Sequence, residues 1–164
     1  MKKTLISVII IVAAASLAHA QAKKLPSFNL PDPQGGMHSS SELSVNGLVV
    51  IVSAPILHDK TAQEGWAQHL ADTKGSKKAS LILIEDMSAS AFKGMAASSM
   101  KKNWKPGIIP ILLEDNSGET HAAFGVEKEE TKVFVYDKNG NLIHSEAGSP
   151  SVETAKTIWI KLPN

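Results

Sequence analysis

The residues best suited to chemistry form one short polar segment, His58-Asp59-Lys60-Thr61, which follows a continuously apolar run. A histidine beside a carboxylate can act as an oriented general base, or it can supply one side of a metal site. Helix capping explains the same residues without chemistry, because the side chains of Asp59 and Thr61 can accept hydrogen bonds from the first N–H groups of a helix. No nucleophile stands beside the histidine, so the sequence favours capping.

The chain contains no cysteine. At the start of a helix, a thiol is driven towards the thiolate form, which makes it a nucleophile and a redox centre. The hydroxyl of Thr61 lacks an activating base and cannot form a disulfide. Thiol–disulfide oxidoreductase and thiol peroxidase activities are therefore excluded, and the sequence predicts no catalytic residue.

Metal binding and carboxylate chemistry are the remaining candidates. Thioether and imidazole side chains suit copper, but here they are dispersed rather than clustered: Met37-His38, His58, Met87, Met95, Met100, His121 and His144. The acidic groups Glu85-Asp86 and Glu127-Lys128-Glu129-Glu130 could bind Ca²⁺ or exchange protons. Solvated carboxylates are normal at strand ends and in loops, however, and that interpretation is favoured. We predict no metal and no cofactor.

Positive charge is carried by lysine, and arginine is absent. Nucleic-acid and phosphate sites favour the guanidinium fork of arginine, so we predict no nucleic-acid partner. Five lysines have no aromatic residues interleaved with them, and this pattern indicates that they contribute to solubility: Lys74, Lys77, Lys78, Lys101 and Lys102.

Residues 1–20 have the pattern of a bacterial export signal. Lys2 and Lys3 precede an apolar run over residues 5–17, and Ala18-His19-Ala20 matches a small-x-small cleavage site. We predict cleavage after Ala20, giving a periplasmic or secreted protein with no stable membrane insertion. The alternative is an uncleaved anchor, although the apolar run is short for a membrane span.

The rest of the chain alternates strand and helix patterns. Apolar runs rich in β-branched residues predict strands at residues 48–52, 80–84, 108–113, 131–136 and 142–145. Helices are predicted from a capping box at Thr61, from Ser88 or Ser90 towards Met100, up to Phe124-Gly125, and from Ser149-Pro150 onwards. Asn139-Gly140 predicts a hairpin between the last two strands. This order indicates an α/β fold, with a central mixed β-sheet, helices on both faces, and a C-terminal β-hairpin and helix.

The same patterns predict the packing positions. Residues 21–46 contain several prolines and glycines and predict an irregular N-terminal arm, anchored by Leu25, Phe28 and Leu30, on a core of residues 47–164. Two helices have predicted buried stripes, Ala62, Trp66 and Leu70 in one and Val152, Ala155, Trp159 and Leu162 in the other. Pro110 falls inside the third strand and favours a late strand start or an edge position.

Four segments, in this order, resemble the thioredoxin-like fold in its peroxiredoxin (AhpC/TSA) and TlpA/ResA branch: residues 25–32, 47–53, 114–126 and 133–140. The chain is most similar to YtfJ-type periplasmic proteins, which share the acidic step at residues 128–131 before the hairpin strand. The resemblance implies a redox cysteine at or just after residues 54–62, and thioredoxins also have a proline just before the hairpin strand. Both residues are missing here.

We therefore expect an exported, redox-inactive thioredoxin-like protein that acts as a non-catalytic binding module for a periplasmic protein, peptide or small ligand. The expected contact residues lie in the loop that would carry the cysteine: Pro55, Ile56, Leu57, His58, Asp59 and Thr61. One alternative is metal binding or hydrolysis by His58 and Asp59 with Glu129 or Glu130. Another is an antioxidant-related role that needs no thiol.

Overall fold

The computed structural model describes residues 23–54, 61–89, 93–105, 107, 109–127 and 129–163. Within these ranges, no helix has the length and apolar character needed to cross a membrane. The predicted export signal, residues 1–20, lies outside the described residues.

Strands and helices alternate along the described chain. In order they are β1 (Asn29–Pro31), β2 (Met37–Ser39), α1 (Ser40–Leu43), β3 (Leu48–Ser53), α2 (Thr61–Thr73), β4 (Ser80–Asp86), a 3₁₀ turn (Met87–Ala89), α3 (Lys93–Asn103), β5 (Ile111–Asp115), α4 (Glu119–Ala123), β6 (Thr131–Tyr136), β7 (Leu142–Ala147) and α5 (Val152–Lys161).

Five of the strands form one mixed sheet in the order β5-β4-β3-β6-β7. The first three run parallel, whereas β6 is antiparallel to β3 and β7 is antiparallel to β6. Parallel neighbours need a crossover connection, which the segments containing α2 and α3 supply. β1 and β2 pair separately in the N-terminal arm. The predicted α/β architecture with a C-terminal hairpin and helix is confirmed.

β3 lies at the centre of the sheet, and each of its 6 residues is buried. Its side chains alternate between two cores. Val50 packs in the core that contains Phe28 and Phe124, whereas Ile51 packs in the core that contains Trp66 and residues of α5. Cover on both faces explains why this strand is a continuous apolar run rather than an alternating one.

The predicted anchors of the arm are confirmed. Phe28 and Leu30 are buried, and Leu25 packs partly buried against the same core. β5 begins at Ile111, directly after Pro110, and is an edge strand of the sheet. Both expectations for this proline therefore hold, because it cannot donate a hydrogen bond to the ladder.

Two details of the helices differ from prediction. In α5, Ser151 is the N-cap and accepts a hydrogen bond from the N–H of Thr154, so Pro150 precedes the helix instead of lying in its first turn. Ala155, Trp159 and Leu162 are buried as predicted, whereas Val152 is exposed and Ile158 is buried with them. The helix therefore starts later than the sequence suggested, and Val152 lies at its exposed first turn.

The buried stripe of α2 contains an unexpected polar residue. Trp66 and Leu70 are fully buried as predicted, but Ala62 is only half-buried and Gln63 is buried beside them. The helix begins at Thr61, which is exposed, and the residue before it lies outside the described residues.

Candidate functional site

The predicted binding loop connects the carboxyl end of β3 to the start of α2. Ala54 is buried immediately before it, and Thr61 is exposed immediately after it. The other predicted contact residues, Pro55, Ile56, Leu57, His58 and Asp59, lie outside the described residues. The structure describes the residues at the two ends of this loop and the adjoining parts of β3, β4, β6 and α2.

The hairpin strand β6 brings Thr131 to the end of β3. In the antiparallel register Thr131 lies opposite Ser53, and their two hydroxyl oxygens are 3.0 Å apart. The segment that would carry the proline of a thioredoxin therefore does lie beside the strand that would precede the cysteine. A pair of hydroxyls can donate and accept hydrogen bonds, but it has no redox chemistry and no evident base to activate it.

On its other side, Ser53 lies opposite Glu85 of β4. Glu85 is only 4% exposed, and the side-chain amide of the buried Gln63 donates a hydrogen bond to its carboxylate. A buried carboxylate is costly unless it is hydrogen-bonded, so the amide accounts for the polar residue in the stripe of α2. The prediction that the Glu85-Asp86 pair is solvated was wrong, because both residues are buried.

Asp86 belongs to a second polar group, on the opposite face of the sheet. Its carboxylate accepts hydrogen bonds from the N–H and the hydroxyl of Ser88, at 2.8 and 2.5 Å. Asp115, at the end of β5, accepts the N–H groups of Gly118 and His121 at 2.9 and 2.8 Å. The two carboxylates therefore stabilise tight turns that follow the neighbouring parallel strands β4 and β5.

His121 is buried between these turns. Its Nδ1 atom is 3.9 Å from a carboxylate oxygen of Asp86, and its buried Nε2 atom has no hydrogen-bond partner among the described residues. The group is closely packed, because a Cβ atom on Gly118 would collide with the hydroxyl of Ser88. We interpret it as a structural group. Sequence reasoning treated His121 and Asp86 separately, and only the register of β4 with β5 brings them together.

The acidic residues before β6 contact their own neighbours in the sequence. The carboxylate of Glu130 contacts the ammonium of Lys132 at 2.9 Å and accepts the N–H of Glu127 at 3.3 Å. Glu129 is exposed and has a positive φ of 67°, as expected at a tight turn. Among the described residues, no three histidine, aspartate or glutamate side chains are grouped as a metal ion would require.

A cavity of about 310 Å³ opens at the same end of the sheet, on the face opposite the Ser53–Thr131 pair. Phe124 and Phe134 form its apolar part, with their ring centroids 5.2 Å apart. Glu127, Lys132 and Glu146 supply charged groups of both signs around it. Both rings are fully buried in the core, so the wall that a ligand could reach is formed by the other lining residues.

Another histidine–carboxylate pair holds the arm. His38 Nε2 lies 3.0 Å from a carboxylate oxygen of the buried Asp32, which also accepts the N–H groups of Gln34 and Gly36. Burial alone would raise the pKa of Asp32, yet these hydrogen bonds outweigh it and hold the pKa below its usual value. Burial raises the pKa of Glu114, and the negative charge of Asp32 adds to that shift.

Comparisons with protein-family models and with curated proteins find no match. Solved structures do match over most of the chain. A thioredoxin-family thiol:disulfide interchange protein from Chlorobium tepidum TLS is 20% identical with a TM-score of 0.63, covering 87% of this chain and 97% of that one.

Two further solved structures represent other thioredoxin-like proteins. The exposed lipoprotein thioredoxin Etrx1 from Streptococcus pneumoniae strain TIGR4 is 17% identical with a TM-score of 0.58, covering 81% of this chain and 98% of that one. The peroxidoxin BcpB from Mycobacterium tuberculosis is 20% identical with a TM-score of 0.57, covering 85% of this chain and 93% of that one. The chain thus has the thioredoxin-like fold that its sequence motifs predict, without a cysteine.

Proposed function

We propose that this protein is an exported, redox-inactive thioredoxin-like module that binds an extended polypeptide at the carboxyl end of β3. One observation carries the proposal. The two segments that form the chemical centre in proteins of this fold still meet, with Ser53 and Thr131 in register and 3.0 Å apart, but hydroxyls stand at their contact. This contact supports a site that has kept the backbone frame of the fold without its thiol.

The surrounding polar groups support binding rather than catalysis. Gln63 and Glu85 are buried and bonded to each other, and Glu130 is engaged by Lys132. Neither carboxylate is presented to solvent as a free general base. The apolar Ile56 and Leu57 in the adjoining loop would contact the bound segment.

Export is part of this proposal. The pattern of residues 1–20 supports it, and one of the solved structures with the same fold is described as an exposed lipoprotein. Fractionation of cells that express the full chain tests it. We expect the protein in the periplasm, shortened by residues 1–20, and a full-length cytoplasmic product would contradict export.

Binding is tested with a pool of short, uncharged, labelled peptides and the purified chain from Gln21. Fluorescence anisotropy should show binding that is weakened about tenfold in Ile56→Asp/Leu57→Asp, because two charges would replace apolar contacts. Met37→Asp/Met95→Asp is the control, since Met37 and Met95 are exposed apolar residues outside both proposed sites. Equal losses in the two variants would contradict the proposed location.

A His58→Ala variant tests the metal-binding or hydrolytic alternative. If His58 and Asp59 held a metal, Zn²⁺ or Cu²⁺ would raise the melting temperature of the native chain and not that of His58→Ala. We expect equal and negligible shifts in both proteins, together with unchanged peptide binding by His58→Ala. A metal-dependent shift that is lost in this variant would favour the alternative.

A further inference from the structure

The amino end of β3 carries a surface unlike the site described above. Two adjoining cavities, of about 720 and 500 Å³, share the lining residues Ser76, Lys77, Leu162 and Pro163. They open beside the first residues of β3 and β4 and the last residues of β6. Across the length of β3 they are roughly 17 Å from the Ser53–Thr131 pair.

Five lysines from three separate parts of the chain line this surface, which we call the lysine groove: Lys74, Lys77, Lys78, Lys138 and Lys156. No aspartate or glutamate lines either cavity among the described residues. Of these lysines, four have no carboxylate within 4.0 Å in the part of the chain that the structure describes: Lys74, Lys78, Lys138 and Lys156. The groove therefore concentrates positive charge that the fold leaves uncompensated.

Apolar side chains lie between the lysines. Trp159 forms part of the groove, and the ammonium of Lys74 is 5.9 Å from the centre of its ring. Ile160 and Val45 also line the groove and are 76% and 65% exposed. Exposed branched apolar residues between lysines indicate a partner with both apolar and acidic groups.

The composition of the groove favours an acidic polypeptide over a nucleic acid. Exposed apolar side chains lie between its lysines, and the chain has no arginine, whose planar fork is common at nucleic-acid sites. We infer that the lysine groove binds an acidic polypeptide segment whose carboxylates meet the lysines and whose apolar side chains contact Trp159 and Ile160. This site is separate from the one proposed at the carboxyl end of β3.

A matched pair of charge reversals tests the inference. The groove variant is Lys78→Glu/Lys138→Glu/Lys156→Glu, and the control is Lys101→Glu/Lys102→Glu/Lys105→Glu. All six lysines are exposed, and both variants change the net charge equally. The probe is a short labelled peptide of alternating glutamate and leucine, measured by fluorescence anisotropy at about 0.1 M salt. Circular dichroism checks that both variants fold.

We expect the groove variant to weaken binding about tenfold or more and the control to change it less than about twofold, because close charges act more strongly than net charge. Ile160→Ser, which keeps every charge, should weaken binding about threefold. No binding by the native chain, or equal losses in the two triple variants, would overturn the inference. So would tighter binding to phosphatidylglycerol vesicles or to DNA than to the peptide.

Discussion

The two ends of the central sheet use polar residues in opposite ways. At the carboxyl end of β3, polar side chains are buried and bonded to one another, as in Ser53 with Thr131 and Gln63 with Glu85. At the amino end, lysines line an open groove without carboxylate partners within reach among the described residues, Lys77 aside. The first end contributes to stability, and the second leaves charge available for a ligand. The end that carries the redox site in other proteins of this fold therefore leaves less charge available to a ligand than the amino end does.

The largest expected effect on the free energy of unfolding concerns the close packing at the carboxyl end. Gly118→Ala should destabilise the protein by about 2–3 kcal/mol, because Gly118 has a φ of 77° and a new Cβ would collide with Ser88. Gly75→Ala is the control at the amino end. Gly75 also has a positive φ, of 56°, but nothing lies within 4 Å of its Cβ position, so we expect about 1 kcal/mol. Urea denaturation measures both, and equal losses would show that the collision is relieved.

The buried amide is the next test. Gln63→Ala removes the donor to a buried carboxylate and should cost about 2 kcal/mol in the free energy of unfolding. Gln68→Ala removes an exposed amide that donates to Asp72 on the same helix, and it should cost less than about 0.5 kcal/mol. A Gln63→Ala variant as stable as Gln68→Ala would mean that the buried pair does not hold this end together.

A double-mutant cycle measures the hydroxyl pair. Ser53→Ala and Thr131→Val each remove one partner, and we expect a coupling of about 1 kcal/mol between them in urea denaturation. Additive effects would show that the two hydroxyls do not bond. The cycle also tests whether β6 and β3 meet here as the register requires.

The pH dependence of stability should distinguish two carboxylates. The pKa of Asp32 is lowered by folding, so its contribution is present above its usual value of 3.8 and is lost as the pH falls through the lower folded value. Asp32→Asn should therefore lower the melting temperature at neutral pH and flatten its fall in acid. A variant that melts as the native chain does at every pH would contradict this.

The pKa of Glu114 is raised, so the opposite sign applies. Its ionised form is disfavoured in the folded state, and the cost appears as the pH rises from below its usual value of 4.5 through the folded pKa. Glu114→Gln should therefore raise the melting temperature slightly at neutral pH and leave it unchanged in strong acid. A lower melting temperature at neutral pH would show that the carboxylate is stabilised by contacts instead.

The smallest effect on stability is expected at the amino end. The triple variant of Lys78, Lys138 and Lys156 to glutamate should change the free energy of unfolding by less than about 0.5 kcal/mol per site, since all three are exposed. A large destabilisation in thermal unfolding would show that these lysines serve the fold, and the contrast between the two ends would then fail.

Local patterns predicted most of the fold. The alternation of apolar runs and helix signals indicated the five strands of the sheet and the bounds of β6. The third of these strands was expected over residues 108–113 and instead spans Ile111–Asp115, and the arm that was predicted to be irregular contains the paired strands β1 and β2. Asn139-Gly140 correctly indicated the hairpin, where Gly140 has a positive φ of 70°. These features depend on short-range backbone preferences, which a single sequence records directly.

The polar groups could not be predicted in the same way. Whether Glu85 is solvated or buried depends on Gln63, which reaches it only after α2 packs on the sheet. The same applies to the lysine groove, because Lys138 and Lys156 join Lys77 only through the packing of the hairpin and of α5. These contacts depend on how elements that are distant in the sequence are aligned in the fold, and no local pattern determines that alignment.

The central claim is that the carboxyl end of β3 binds polypeptide without performing redox chemistry. The most direct measurement is an NMR titration of the ¹⁵N-labelled chain from Gln21 with the uncharged peptide pool. We predict that the amide signals of Ser53, Ala54, Thr61 and Thr131 shift, while those of Gly47 and Lys78 at the other end stay in place. Shifts confined to the amino end, or no shifts at all, would contradict the claim.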